Sequence, residues 1–278
     1  MKKPYIIKMN VKYVVGAGCS FFRTGYWPEN KNRKHHETDY GDNEPMFLQV
    51  LGEKLGVRTY WHGLAGTSIQ HAIRVVFEWC LENQEKVKNT FFVVGLTEAI
   101  RTTFYSKKVK GKLDGFNTFY EFEAICAPKK IPNSFTSGQK RYWEDECRRF
   151  NIPLDMYKNW ATLNTNQLNN PEMRYRTHKM HIIMLENYIE SLGGTIRFLN
   201  TVNIHPGDPL PKAETGEDYT FTKNLFKFPN GLYSWRHYIW TQDKGYKWGH
   251  PSHLDHRHLG NILYEYIDNG FTFNNNNI

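Results

Sequence analysis

The sequence predicts an α/β fold built on a parallel sheet. Three observations carry this. Short apolar, β-branched runs recur at 12–15, 58–61 and 90–94 and end in glycine-bearing segments. Segments of helical period alternate with them, giving strand-helix-strand-helix-strand with short links. Strands joined in this way come out parallel, with right-handed crossovers.

The first strand, 12–15, leads into Gly16-Ala17-Gly18-Cys19-Ser20, where the glycines are expected to let the backbone turn sharply. A polar loop, 26–43, follows. Pro45 opens a helix with Phe47, Leu48, Leu51 and Leu55 on one face, and Gly56 stops it. The second strand ends in His62-Gly63, and Ser68 is placed to cap the next helix. That helix is expected to face inward with Ile69, Ile73, Val76, Phe77, Cys80 and Leu81. The third strand ends in Gly95-Leu96-Thr97-Glu98.

Periodicity fades over 102–170, which reads as an insertion with short helices, a candidate lid. A long helix is predicted over 173–192, with Leu185, Tyr188, Ile189 and Leu192 on one side and Gly193-Gly194 as its stop. A fourth strand covers 195–199, and 203–248 reads as irregular and aromatic-rich. The last helix runs over 253–267, with Leu259, Ile262, Leu263, Tyr266 and Ile267 inward. The Asn-rich tail, 271–278, is expected to fray. The whole of 1–278 is thus one domain with one insertion.

At 278 residues the chain can bury a sizeable core. The formal charge of +8 is dispersed along it, so a solvated surface is favoured over a nucleic-acid site. Its four cysteines, Cys19, Cys80, Cys126 and Cys147, follow neither metal-ligand nor disulfide-framework spacing, and a reduced compartment is expected. The first residues do not make a signal-peptide core, and no apolar run is long enough to span a membrane. A cytoplasmic location is expected.

In a parallel sheet the loops after the strands converge at one edge, where open α/β sheets bind ligands. Gly18-Cys19-Ser20-Phe21, Gly63-Leu64-Ala65-Gly66 and Gly95-Leu96-Thr97-Glu98 follow strands, and Gly249-His250-Pro251-Ser252 precedes the last helix. A serine nucleophile needs a base within reach and donors for the oxyanion. Ser20 and His250 are candidates for the first two roles, and the N–H groups of Ser20 and Gly66 for the third. On its own, the Ser20 stretch reads equally well as a plain strand-to-loop turn.

Together the four segments resemble the blocks of the SGNH hydrolases, also called GDSL-type esterases, in a branch common among bacteriophage and environmental sequences. The resemblance covers roughly 11–101 and 173–268. It implies a three-layer α/β/α, flavodoxin-like fold and ester hydrolysis through an acyl-serine, with no metal or organic cofactor. Ser20 would be the nucleophile, His250 the base, and Gly66 and Thr97 oxyanion donors. Cys19 stands where the family usually has Asp, and Thr97 where it has Asn. Lys247 occupies the position of the orienting Asp, leaving Asp243 as the nearest upstream carboxylate. Asp255-His256-Arg257-His258 makes His258 a rival base, although a polar helix face is the preferred reading of His253, His256 and His258.

Arg101, Trp235 and Trp248 are candidate substrate contacts, the last two within an aromatic cluster that includes Tyr238. Such rings suit sugars or nucleobases, and packing onto the sheet explains them equally well. The expected substrate is an ester, with acetylated carbohydrate as its class. The alternative is a catalytically degenerate SGNH scaffold, serving as a virion-associated structural or binding protein among other virion proteins.

Overall fold

The computed structural model describes residues 10–22, 45–63, 68–97, 102–105, 122–125, 153, 155–156, 159, 171–201, 221–229, 231–242, 251 and 253–269. Its centre is a four-stranded, all-parallel sheet of β1 (Tyr13–Gly18), β2 (Arg58–Gly63), β3 (Thr90–Leu96) and β6 (Thr195–Asn200), in the order β2-β1-β3-β6. Every residue of β3 is buried, as a central strand covered on both faces must be.

Helix α1 (Phe47–Leu55) links β1 to β2, and α2 (Ile69–Glu82) with the short α3 (Gln84–Val87) links β2 to β3. Helix α4 (Pro171–Ser191) precedes β6, and α5 (Trp235–Gln242) and α6 (His253–Asp268) follow it. Alternating strand residues feed two cores. Val14, Phe91, Val93 and Leu199 pack with α1, α5 and α6 on one face. Val15, Phe92, Val94, Ile196 and Phe198 pack with α2 and α4 on the other.

Local chemistry sets the helix ends. Gly56 closes α1 in the left-handed conformation at φ 65°, and Gly193 at φ 79° follows α4. Ser68 caps α2, its Oγ accepting from the His71 N–H at 3.1 Å. At the start of α1, Phe47 N–H donates to His256 Nδ1 at 3.3 Å, so an imidazole from α6 satisfies one orphan donor of α1.

Helices α1 and α6 run parallel. His256 meets Phe47, a Cβ on Gly260 would strike Val50, and Lys54 Nζ lies 5.2 Å from the Tyr264 ring centroid. Because α1 returns the chain from the carboxyl edge of the sheet to the start of β2, both helices begin at the carboxyl edge.

Several expectations need correction. All of β1, Gly16 and Gly18 included, is extended strand, so these glycines do not form a turn. A Cβ on Gly16 would strike Leu48, and one on Gly18 would strike the Phe22 ring, so both permit close packing. On α2, Ala72, Val75 and Trp79 are buried, whereas Phe77 and Leu81 are 36% and 50% exposed. The segment expected to be irregular contains α5, whose Trp235, Tyr238 and Ile239 are buried at helical spacing. Within the expected insertion, residues 155–156 and 159 are helical as expected, but β4 (Thr102–Tyr105) and β5 (Phe122–Ile125) add an antiparallel pair in a separate sheet that the sequence reading did not include. The tail beyond 269 lies outside the described residues.

Residues 222–226 cover the outer edge of β6. Phe198 N–H donates to Asn224 O, and Phe226 N–H donates to Phe198 O. Buried Glu186 on α4 anchors this segment, accepting from Thr222 Oγ1 at 2.8 Å and Asn224 Nδ2 at 2.6 Å. Arg197 Nη1 donates to Asn224 Oδ1 at 2.7 Å.

Candidate functional site at the carboxyl edge of the sheet

The chain reverses its direction of sheet growth at β1. The β1-α1-β2 unit adds a strand on one side, and β3 and then β6 are laid on the other. The crevice at the carboxyl ends of β1 and β3 is therefore the topological switch point, where such sheets take ligands. Ala17 pairs with Val94, so Ser20 and Thr97 each come three residues past this paired level. Cys19 ends the run out of β1, and a 3₁₀ turn over Ser20–Phe22 follows, with Phe22 N–H donating to Cys19 O at 2.8 Å.

Thr201, just past β6, rivets the strand ends together. Its N–H and its Oγ1–H both donate to Leu96 O, at 2.9 and 2.8 Å. With that hydroxyl proton committed, Cys19 Sγ–H is the donor in the 3.5 Å contact to Thr201 Oγ1. Cys19 and Thr201 are both fully buried. The residue before the candidate nucleophile is thus tied through one hydroxyl to the residue before Thr97.

Thr97 is 4% exposed, and its Oγ1 finds no hydrogen-bond partner among the described residues. Asn200, the last residue of β6, is 2% exposed and pairs in register with Leu96. Its Nδ2 likewise has no partner among the described residues. Two buried donors without acceptors thus lie at neighbouring strand ends, a rarity in a folded interior. Asn200 and Thr201 were missed in the sequence because the segment after the fourth strand was not counted among the converging loops. The rule that brought out Ser20 and Thr97 applies to them equally.

At the end of β2, His62 Nε2 lies 2.9 Å from His71 Nε2 on α2, with both imidazoles buried. Arg74 Nη2 lies 3.3 Å from His71 Nδ1 and can only donate, so His71 carries its proton on Nε2 and gives it to His62 Nε2. Burial, then the Arg74 charge, pushes the His62 pKa down to about 4. Burial, then His62 and Arg74, holds His71 well below its ordinary value. The bond joins the two ends of the segment that contains Gly66, residues 64–67 lying outside the described part.

Gly66, Arg101, Asp243, Lys247, Trp248 and His250 lie outside the described residues, as does the side chain of Ser20. Pro251, next to His250, is buried immediately before α6, whose first turn is at the carboxyl edge. His256 is not on a polar helix face. It is 1% exposed, stacked on Phe47 and edge-on to Trp235. His258, the rival base, is exposed, with its Nε2 2.9 Å from Tyr238 Oη.

Trp235 does not present a face to a substrate. It is 1% exposed and meets Phe21, Phe47 and His256 edge-on. Tyr238 is also buried, stacked on Phe228.

Among the described residues, no group of three His, Cys, Asp or Glu side chains could hold a metal ion. Nor is any helix among them long and apolar enough to cross a membrane. Compared with protein-family models, curated proteins and solved structures, the chain matches none.

Proposed function

We propose that this chain is a serine ester hydrolase of the SGNH type, with a flavodoxin-like α/β/α sheet. The observation that carries the reading is the equivalent register of Ser20 and Thr97, each three residues past the Ala17–Val94 pair at the switch point, with the Thr97 hydroxyl buried and lacking an acceptor among the described residues. A buried donor without a partner suits a site that receives a negative oxygen. The parallel start of α1 and α6 at this edge agrees with His250 serving the same crevice.

In this reading Ser20 Oγ attacks the ester carbonyl while His250 takes its proton. Negative charge gathers on the former carbonyl oxygen, held by the Ser20 and Gly66 N–H groups and by Thr97 Oγ1–H. Collapse expels the alcohol, which receives the proton from His250 and leaves an acyl-serine. Water, deprotonated by His250, then releases the carboxylic acid and restores Ser20. Lys247 in the orienting position predicts slow turnover, since loss of a triad Asp costs on the order of 10⁴ in kcat. Acetylated carbohydrate rests on the family resemblance and on Trp248, since Trp235 and Tyr238 belong to the core.

Treatment with a fluorophosphonate, read by intact mass, tests the reading. The wild type gains one phosphonyl adduct, and Ser20→Ala gains none. Labelling that persists in Ser20→Ala removes Ser20 as nucleophile. A folded wild type that takes no label turns the reading to the non-catalytic scaffold.

A further inference from the structure

Asn200 belongs to none of the segments from which the hydrolase reading was built. It ends β6, in register with Leu96, the residue before Thr97. Parallel strands lie about 4.8 Å apart, so the two strand ends adjoin. Other polar groups here have partners. Thr201 donates twice to Leu96 O, Cys19 Sγ contacts Thr201 Oγ1, and Ser68 Oγ accepts from His71 N–H. Asn200 Nδ2 and Thr97 Oγ1, by contrast, find no partner among the described residues, although their residues are 2% and 4% exposed.

A buried amide N–H without an acceptor destabilises the protein that carries it. An acceptor that arrives with a ligand would give such an orphan its partner. Both groups can donate, so the chemistry they call for is an oxygen with free lone pairs. The ligand would enter at the carboxyl edge, where the switch point lies.

We propose that Asn200 is a substrate-binding residue whose side-chain amide donates to the carbonyl oxygen of the bound ester, beside the Thr97 hydroxyl. This rests on the hydrolase reading and adds a donor to it from a fourth strand end. No new covalent step is involved. The amide holds the oxygen as it gains charge, and releases it when the carbonyl re-forms.

The test compares wild type, Asn200→Leu and Asn200→Asp for the rate of fluorophosphonate labelling and for Tm. Removing one oxyanion donor costs about 10²–10³ in rate. Asn200→Leu, of similar size but unable to donate, should label about 100-fold more slowly while its Tm holds or rises, because a buried orphan has been removed. Asn200→Asp, which sets a carboxylate against the developing charge, should label more slowly still at pH 8. A purely structural Asn200 would instead give a lowered Tm in Asn200→Leu. That result, loss of folding in both variants, or Asn200→Leu labelling within twofold of wild type each overturns the proposal. When the wild type labels and Asn200→Leu labels equally, this proposal fails alone. When the folded wild type does not label, the hydrolase reading fails and takes this proposal with it.

Discussion

Phe22 is fully buried beside β1 and β3, and the space it fills is made by Gly18 and Gly95. Its ring meets Phe47 edge-on at 4.9 Å, which stops it from swinging away. A Cβ on Gly95 would lie 2.5 Å from Phe22 Cε2. Gly95→Ala should therefore cost about 1–3 kcal/mol by overpacking. Adding Phe22→Leu should recover part of that loss, and urea unfolding of the single and double variants reads the coupling. Additive losses would mean that the two residues do not compete for one space. The glycines stood out in the sequence, but their purpose did not. Glycine before a turn and glycine beneath a ring look alike until the ring's position is known. His256 was legible. It falls at helical spacing with Leu259, Leu263 and Ile267, all on the buried face of α6. Its polarity hid it, because a buried imidazole needs a partner, and the Phe47 N–H comes from 209 residues away.

Among the elements, β1-α1-β2-α2-β3 could be read from sequence because each piece is local and short. Its strands are apolar, its helices amphipathic, and Gly56 and Ser68 mark ends by their own chemistry. The covering of β6 could not be read in that way. Residues 222–226 contain no strand pattern, and side chains from α4 and β6 hold them in place. Asn224 is the hub, donating to Glu186 and Glu190 and accepting from Arg197. Burial works against ionisation of Glu190, but hydrogen bonds from Lys223 and Asn224 outweigh it and hold its pKa below the ordinary value. Asn224→Ala leaves the buried Glu186 carboxyl with one fewer donor and deprives Arg197 of an acceptor. The expected loss is about 2 kcal/mol. Amide exchange should locate it, with Phe198 and Phe226 losing protection while Val14 and Phe92, in the sheet centre, keep theirs. Equal loss of protection across the sheet would show that the edge does not open separately.

For the molecule as a whole, the buried His62–His71 pair ties the far side of the sheet to α2 and makes stability depend on acidity. Among the described residues, the charged groups beside the pair are Arg74, which lies next to His71, and Glu78, which is paired with Arg74 at 2.9 Å. Both imidazoles are neutral in the folded chain, because burial and the Arg74 charge disfavour a further cation. The unfolded chain takes up protons near the ordinary 6.5, while folded His62 does so only near 4. A depressed imidazole pKa favours folding fully above the unfolded value. That contribution is lost as pH falls from 6.5 toward 4, where the unfolded state binds more protons. The His62 shift amounts to about 3 kcal/mol, a large share of the roughly 5–15 kcal/mol that holds a domain folded. His71 adds to it in the same direction. Urea unfolding at pH 7.5, 6 and 5 should show a falling midpoint in the wild type. In His62→Leu/His71→Leu the fall should be shallower, since neither position can then take a proton. His62→Gln, a milder change, should lie between them. Parallel pH dependence in all three proteins would assign the acid sensitivity to other groups and leave the pair a packing role.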